Sequence, residues 1–181
     1  ISETLRNEFF RSQHQVRRDG SFFPSPVGPV LPDSSSLQLT TTTLEDPGAI
    51  DNRLIGDIYL ARSSVILSTF SVLPKSPVLR ALENAARRGV AVTLLAHIDS
   101  RHETTLAELV AAGGRVLGIE WLHAKMAAVD ELPVLFSSRN LDNPSAEVSL
   151  DFLIELDDIA SRDSRTWLEY QIASAPWQLS E

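Results

Sequence analysis

The chain reads as an α/β protein: a mostly parallel mixed sheet flanked by helices on both faces. Two observations carry that reading. Short runs rich in β-branched and apolar residues alternate with longer segments whose apolar residues recur every three to four positions. The helix-like segments open at Asp-Pro or Ser-Pro pairs or stop at glycines, which cuts helix from strand. Strands that alternate with helices form largely parallel sheets covered on both sides, because each crossover helix must lie on a face.

Residues 2–18 are expected to be helical, with Ser2 as N-cap and Leu5, Phe9 and Val16 on one side. Pro24, Pro26, Pro29 and Pro32, the run Ser34–Ser36 and the run Thr40–Thr43 make the next segment a loop or linker, so the core is expected to begin near Leu44. Asp46-Pro47 opens a helix to about Arg62, on the spacing of Ile50, Leu54, Ile55, Ile58 and Tyr59. Ser64–Phe70 is a buried strand. Ser76-Pro77 caps a helix through Leu79, Leu82 and Ala86 that stops at Gly89. Val90–Leu95 is the next strand, His102–Ala112 a helix stopped by Gly113-Gly114, and Arg115–Ile119 a third strand. Ala124–Val129 and Val134–Ser138 form a hairpin around Glu131-Leu-Pro133. Leu150–Leu156 is a further strand, and a last helix covers about Ser164–Ala173.

At 181 residues the chain is expected to hold one domain with an appendage, and it is long enough to bury a full core. Its hydrophobic content of 43% is that of an ordinary globular protein, and no run of 18 apolar residues marks a transmembrane helix. The N-terminus lacks a secretory pattern, and because the chain starts at Ile1 an upstream segment is expected. With no cysteine, disulfides and Cys-ligated zinc are excluded, and a cytoplasmic location is expected. The net charge of −8 argues against a broad nucleic-acid footprint. Charge is uneven, however. Lys75–Arg101 holds five basic and two acidic residues, and Glu147–Asp163 six acidic residues and one arginine, which leaves room for a local basic groove.

The stretch His123-Ala-Lys125-Met-Ala-Ala-Val-Asp130 carries the chemistry. An imidazole and an ammonium two residues apart on a strand share a face, which sets a nucleophile or base beside a fixed positive charge. Lys125 is one of two lysines in the chain, with Lys75. Ser138 and Asn140 share a face in the same way, so the pocket candidates are His123, Lys125, Ser138 and Asn140. Asp130 has the opposite parity and is expected to fix a strand end or turn. Lys125 supplies a point charge to non-bridging phosphate oxygens and Asn140 a neutral donor, so no metal or other cofactor is required.

The pattern H-x-K-x4-D, followed by Ser137-Ser138-Arg139-Asn140 and an acidic residue at Asp151, resembles the catalytic motif of the phospholipase D superfamily. The step Arg87-Arg-Gly-Val-Ala-Val-Thr-Leu-Leu95 resembles it too, and together the resemblance covers about residues 45–175. Two positions depart from the family pattern: Ser137 stands for the usual Gly, and Asp151 for the usual Glu. The resemblance implies a phospholipase D-like catalytic domain over 45–181, behind the helix and linker of 1–44. It implies that His123 attacks phosphorus to give a phosphohistidine, with Asp151 accepting the other ring N–H. The family supplies a second histidine to protonate the leaving oxygen. With one motif here, that group is expected from a second copy in a two-fold homodimer or from a missing half. The expected function is a metal-independent phosphodiesterase acting on nucleic acid, similar to stand-alone bacterial phage-defence proteins. A phospholipid-processing phosphatidyltransferase and an inactive phospholipase D-like interaction module are the alternatives.

Other polar residues have plainer readings. His97, which ends a strand before Asp99, is read as a loop residue, and His14 and His102 as surface helix residues. Arg87-Arg88 is a solvated helix end, Trp121 packing with base stacking as its functional alternative, and Arg139 a residue facing away from Ser138 and Asn140 that serves packing or a salt bridge. Asp142, Glu147 and Asp151 lack the paired His that a metal site would need.

Overall fold

The computed structural model describes residues 38–42, 46–74, 76–97, 103–141 and 151–179. The expected N-terminal helix, most of the proline-rich segment, His14, Lys75, Asp99, His102, Asp142 and Glu147 lie outside them. Eight strands form one sheet: β1 (Gln38–Thr41), β2 (Ser64–Thr69), β3 (Ala91–Ala96), β4 (Arg115–Gly118), β5 (Met126–Val129), β6 (Leu135–Ser137), β7 (Phe152–Glu155) and β8 (Trp177–Gln178). Four helices accompany them: α1 (Ala49–Leu60), α2 (Pro77–Arg87), α3 (Glu103–Ala111) and α4 (Asp158–Ser174).

The strand order is β1-β7-β6-β5-β2-β3-β4-β8. The expected α/β fold with a mixed sheet and helices on both faces is what is observed. Alternate residues of the central strands feed two apolar layers, as the two-residue period of a strand requires. Val65, Leu67, Val92, Leu94 and Val116 pack with Ile50, Leu54 and Ile58 of α1, Leu79 and Leu82 of α2, and Leu106 and Leu109 of α3. Leu95, Leu117, Ala128 and Val134 pack with Leu168 of α4 on the other side.

The balance of strand directions corrects the expectation of a mostly parallel sheet. Only β2–β3 and β3–β4 are parallel. These are the two steps carrying a crossover helix, α2 and α3. The other five pairings are antiparallel. The connection from β4 to β5, residues 119–125, holds no helix. It stays at the edge where β4 ends, so β5 must run back against β2. A hairpin then reverses the chain into β6.

Most element boundaries follow from local chemistry. α2 starts at Pro77, whose fixed φ suits a first helical turn, although Ser76 makes no side-chain capping bond. It stops at Gly89, at φ +88°, with Gly89 N–H on Ala86 O at 2.8 Å and Val90 N–H on Ala85 O at 3.1 Å. Gly113, at φ +93°, ends α3 with the same pair of bonds, onto Val110 and Leu109. Three elements differ from expectation. Gln38–Thr41, read as linker, pairs along β7 as an edge strand. β8 adds a two-residue edge to β4. α4 starts six residues earlier than expected, because Asp157 caps it by accepting from Ala160 N–H at 2.8 Å.

Asp130 sits at the end of β5 opposite to the His123 end, at φ +42°. Its carboxylate accepts from the backbone N–H groups of Arg62, Ser63 and Ser64 at 2.8–2.9 Å and from Ser63 Oγ at 2.7 Å. It therefore satisfies the turn between α1 and β2. Counted by motif among the site residues, it is a structural anchor, as strand parity predicts. The backbone bond from Ser64, then the Ser63 hydroxyl and the Arg62 N–H, hold this carboxyl well below the usual carboxylate range. A depressed folded-state pKa stabilises the fold above the ordinary Asp value of about 3.9, and the contribution is lost as pH falls below it. Asp130→Asn should cost about 2 kcal/mol, since an amide cannot accept all four bonds. The melting temperature at pH 7 should fall by several degrees, and the gap from wild type should narrow on titration to pH 3.

Candidate active site

The antiparallel return of β5 decides where the motif residues meet. The C-terminal ends of β2 and β3, the start of β5, the end of β6 and the start of β7 all reach one edge of the sheet. Residues 119–125 cross that edge. Ile119 N–H bonds Ala96 O at 3.0 Å, Trp121 N–H bonds His97 Nδ1 at 3.2 Å, and the His123 ring leans on Phe70 at 5.2 Å and 49°. The crossing thus passes over the ends of β3 and β2 in turn before it enters β5.

His123 is exposed at this edge, and Lys125 beneath it is only 6% exposed. Lys125 Nζ donates to His123 O at 2.9 Å and lies 3.3 Å from His123 Nδ1. An ammonium only donates, so Nδ1 is the acceptor and the ring proton resides on Nε2 in this arrangement. The His123–Lys125 pair is therefore formed as expected. Lys125 and Arg139 both line a cavity of about 20 Å³, together with Thr69 and Ser137.

The second half of the motif is used differently from expectation. Ser138 Oγ donates to Asp151 Oδ1 at 2.8 Å and accepts from Phe152 N–H at 3.1 Å. Its hydroxyl joins β6 to β7. Asp151 takes Ser138 on one oxygen and Arg139 Nη1 on the other at 3.3 Å, while the His123 ring bonds to Lys125. The expected Asp151–His123 bond is thus replaced. The reason is Arg139, whose side chain is 4% exposed and needs carboxylates around it. Asp51 of α1 supplies two oxygens, at 2.8 and 3.2 Å. Burial works to lower the Arg139 pKa, but the bonds and charge of Asp51, and then of Asp151, outweigh it and hold it above its ordinary value. The salt-bridge reading of Arg139 is what the structure shows.

Asn140 lies where the segment after β6 meets the segment after β2. Its neighbour Leu141 donates to Ser71 O at 3.1 Å and accepts from Leu73 N–H at 2.9 Å. Asn140 Oδ1, a hydrogen-bond acceptor, is buried without a hydrogen-bond partner. Sequence reasoning missed Phe70 and Asp51 as members of this neighbourhood. Nothing local marks Asp51, since its partner Arg139 is 88 residues away. Among the described residues, no group of three or more His, Cys, Asp or Glu side chains is placed to share a metal ion. Among them also, no helix is long and apolar enough to cross a membrane.

The geometry has counterparts in known proteins. The family model described as "Cardiolipin synthase, PLD-like domain" matches residues 54–169. Cardiolipin synthase A of Erwinia tasmaniensis is 30% identical over 149 residues, which are 75% of this chain and 31% of that protein. The chain therefore spans about a third of the length of the curated relatives it matches. This likeness lends weight to the phospholipid-processing alternative. Among solved structures, the phospholipase D family member Nuc from Salmonella typhimurium superposes with a TM-score of 0.61 at 19% identity, covering 77% of this chain and 95% of that one. NucT from Helicobacter pylori gives 0.64 at 19% identity, covering 77% and 98%. The family match over most of the described core, with the His123–Lys125 pair at the strand ends, shows that the chain belongs to the phospholipase D superfamily.

Proposed function

We propose that this domain cleaves phosphodiester bonds in nucleic acid through a phosphohistidine on His123, without a metal ion. The observation that carries the reading is the exposed His123 imidazole with the buried Lys125 ammonium 3.3 Å from Nδ1. A phosphodiester arriving at His123 competes for that ammonium. As Nζ turns to the non-bridging oxygens, the imidazole lone pair it held is released to attack phosphorus. The N–P bond forms, the P–O bond to the leaving group breaks, and an acid protonates the departing oxygen. Water then displaces the histidine, and the diester ends as a monoester and an alcohol. The Asn140 amide adds a neutral donor to the same anion. Nucleic acid as substrate is supported by the row of rings beside His123, half-buried at Phe70 and His97 and exposed at Trp121.

A phospholipid reading has its own support in the cardiolipin synthase relatives. One experiment separates the two. In EDTA, wild type should cleave a labelled oligonucleotide and leave phosphatidylglycerol vesicles intact, and His123→Ala should cleave neither substrate. Lys125→Met, which keeps the apolar stem, should lower kcat by about 10²-fold or more on the oligonucleotide. Turnover of vesicles alone would transfer the mechanism to the lipid reading. Activity abolished by EDTA and restored by magnesium would refute the mechanism itself.

The acid is proposed to be His123 of a second copy related by a two-fold axis beside the strand ends. This domain carries one motif histidine, while attack and leaving-group protonation need two groups in different protonation states. Sedimentation at working concentration should then show a dimer. Heterodimers of wild type with His123→Ala should fail to turn over repeatedly. A monomer with full activity would contradict the shared site.

A further inference from the structure

We propose that Trp121 is a stacking platform for a nucleobase flanking the scissile phosphodiester, held in position by His97. This rests on the nucleic-acid reading above and names the contact that would select the substrate. Trp121 is 74% exposed, a large apolar side chain that covers no core. Its backbone sits at φ +58°, in a region that bulky residues avoid. Two contacts secure it. Its N–H donates to His97 Nδ1 at 3.2 Å, and its ring stacks on the His97 ring at 5.6 Å and 19°. A strained backbone and an exposed ring, both secured from the same histidine, serve something other than packing. By contrast, Trp167 lies against the apolar layer of α4.

The rings form a row that leads away from the reacting centre. His123 leans on Phe70 at 5.2 Å, Phe70 stacks on His97 at 4.9 Å and 3°, and Trp121 follows. From Phe70 outward the planes are nearly parallel, as in a stack of bases, and the outermost ring is the exposed one. A further planar ring extends such a row with no rearrangement, whereas an acyl chain gains nothing from parallel planes. The spacing places Trp121 within a few nucleotides' reach of His123 along one strand. Stacking accepts any base, so this contact confers a requirement for bases rather than for a sequence. His97 is a positioning residue. With Nδ1 accepting from Trp121, it acts through the tryptophan.

The test compares an oligothymidylate with the same strand carrying abasic positions around the scissile phosphate. Binding is measured by anisotropy on His123→Ala protein, and kcat/KM on the active protein. The platform predicts that abasic strands bind about 10- to 100-fold more weakly. Trp121→Ala should lose the same factor on oligothymidylate and nothing on the abasic strand, while Trp121→Phe keeps most of the preference. His97→Ala should behave as Trp121→Ala. His97→Asn, whose side-chain oxygen can accept the Trp121 N–H, should restore part of the preference, which a merely structural His97 would not show. Equal binding of the two strands, or an equal loss on both in Trp121→Ala, overturns the platform and leaves the nucleic-acid reading standing. Binding of neither strand overturns both.

Discussion

The helix-free crossing from β4 to β5 is the constraint on which the site depends. A crossover helix there would have carried the chain to the opposite edge and started β5 parallel to its neighbours. Instead seven residues stay at the edge where β2, β3 and β4 end, and β5 enters the sheet running backwards. Asp130 secures the far end of the same strand, where its carboxylate gathers the turn before β2. With β5 fixed at both ends, His123 and Lys125 have little freedom in where they emerge. The antiparallel returns of β6 and β7 then bring Ser138, Asn140 and Asp151 to the same edge.

Charge buried behind the site sets the second condition. Lys125 and Arg139 are both nearly inaccessible, and burial of an unpaired cation is costly. Arg139 is balanced by Asp51 and Asp151, which ties α1 to the connection between β6 and β7. That arrangement explains why Asp151 serves Arg139 and Ser138 rather than the His123 ring. Lys125 donates to the His123 carbonyl and lies against the His123 imidazole.

The parts of the fold legible in the sequence were those with dense local signal. β2 and β3 are strings of β-branched and apolar residues, and Gly89 and Gly113 mark helix ends by the φ they alone adopt readily. The edge strands β1 and β8 were missed because they are short and are created by a partner rather than by their own composition. The antiparallel share of the sheet was missed because alternation of helix and strand says nothing about a connection that lacks a helix. Spacing alone brought His123, Lys125 and the structural part of Asp130 into view. The Arg139–Asp51 tie and the Phe70–His97–Trp121 row were invisible because they join residues 24 to 88 positions apart. Base stacking at Trp121 could be named from sequence only as an alternative to packing, since exposure decides between them and exposure is a tertiary property.

The central claim is that His123 becomes covalently bonded to phosphorus, and trapping that bond tests it most directly. Wild-type protein is mixed with an end-labelled oligonucleotide in EDTA, quenched rapidly at alkaline pH to preserve a phosphohistidine, and resolved under denaturing conditions. The account predicts label co-migrating with the protein, released by mild acid, mapped to the peptide containing His123 and missing from His123→Ala. Strand cleavage that proceeds at full rate with no label on the protein at any time point would contradict it.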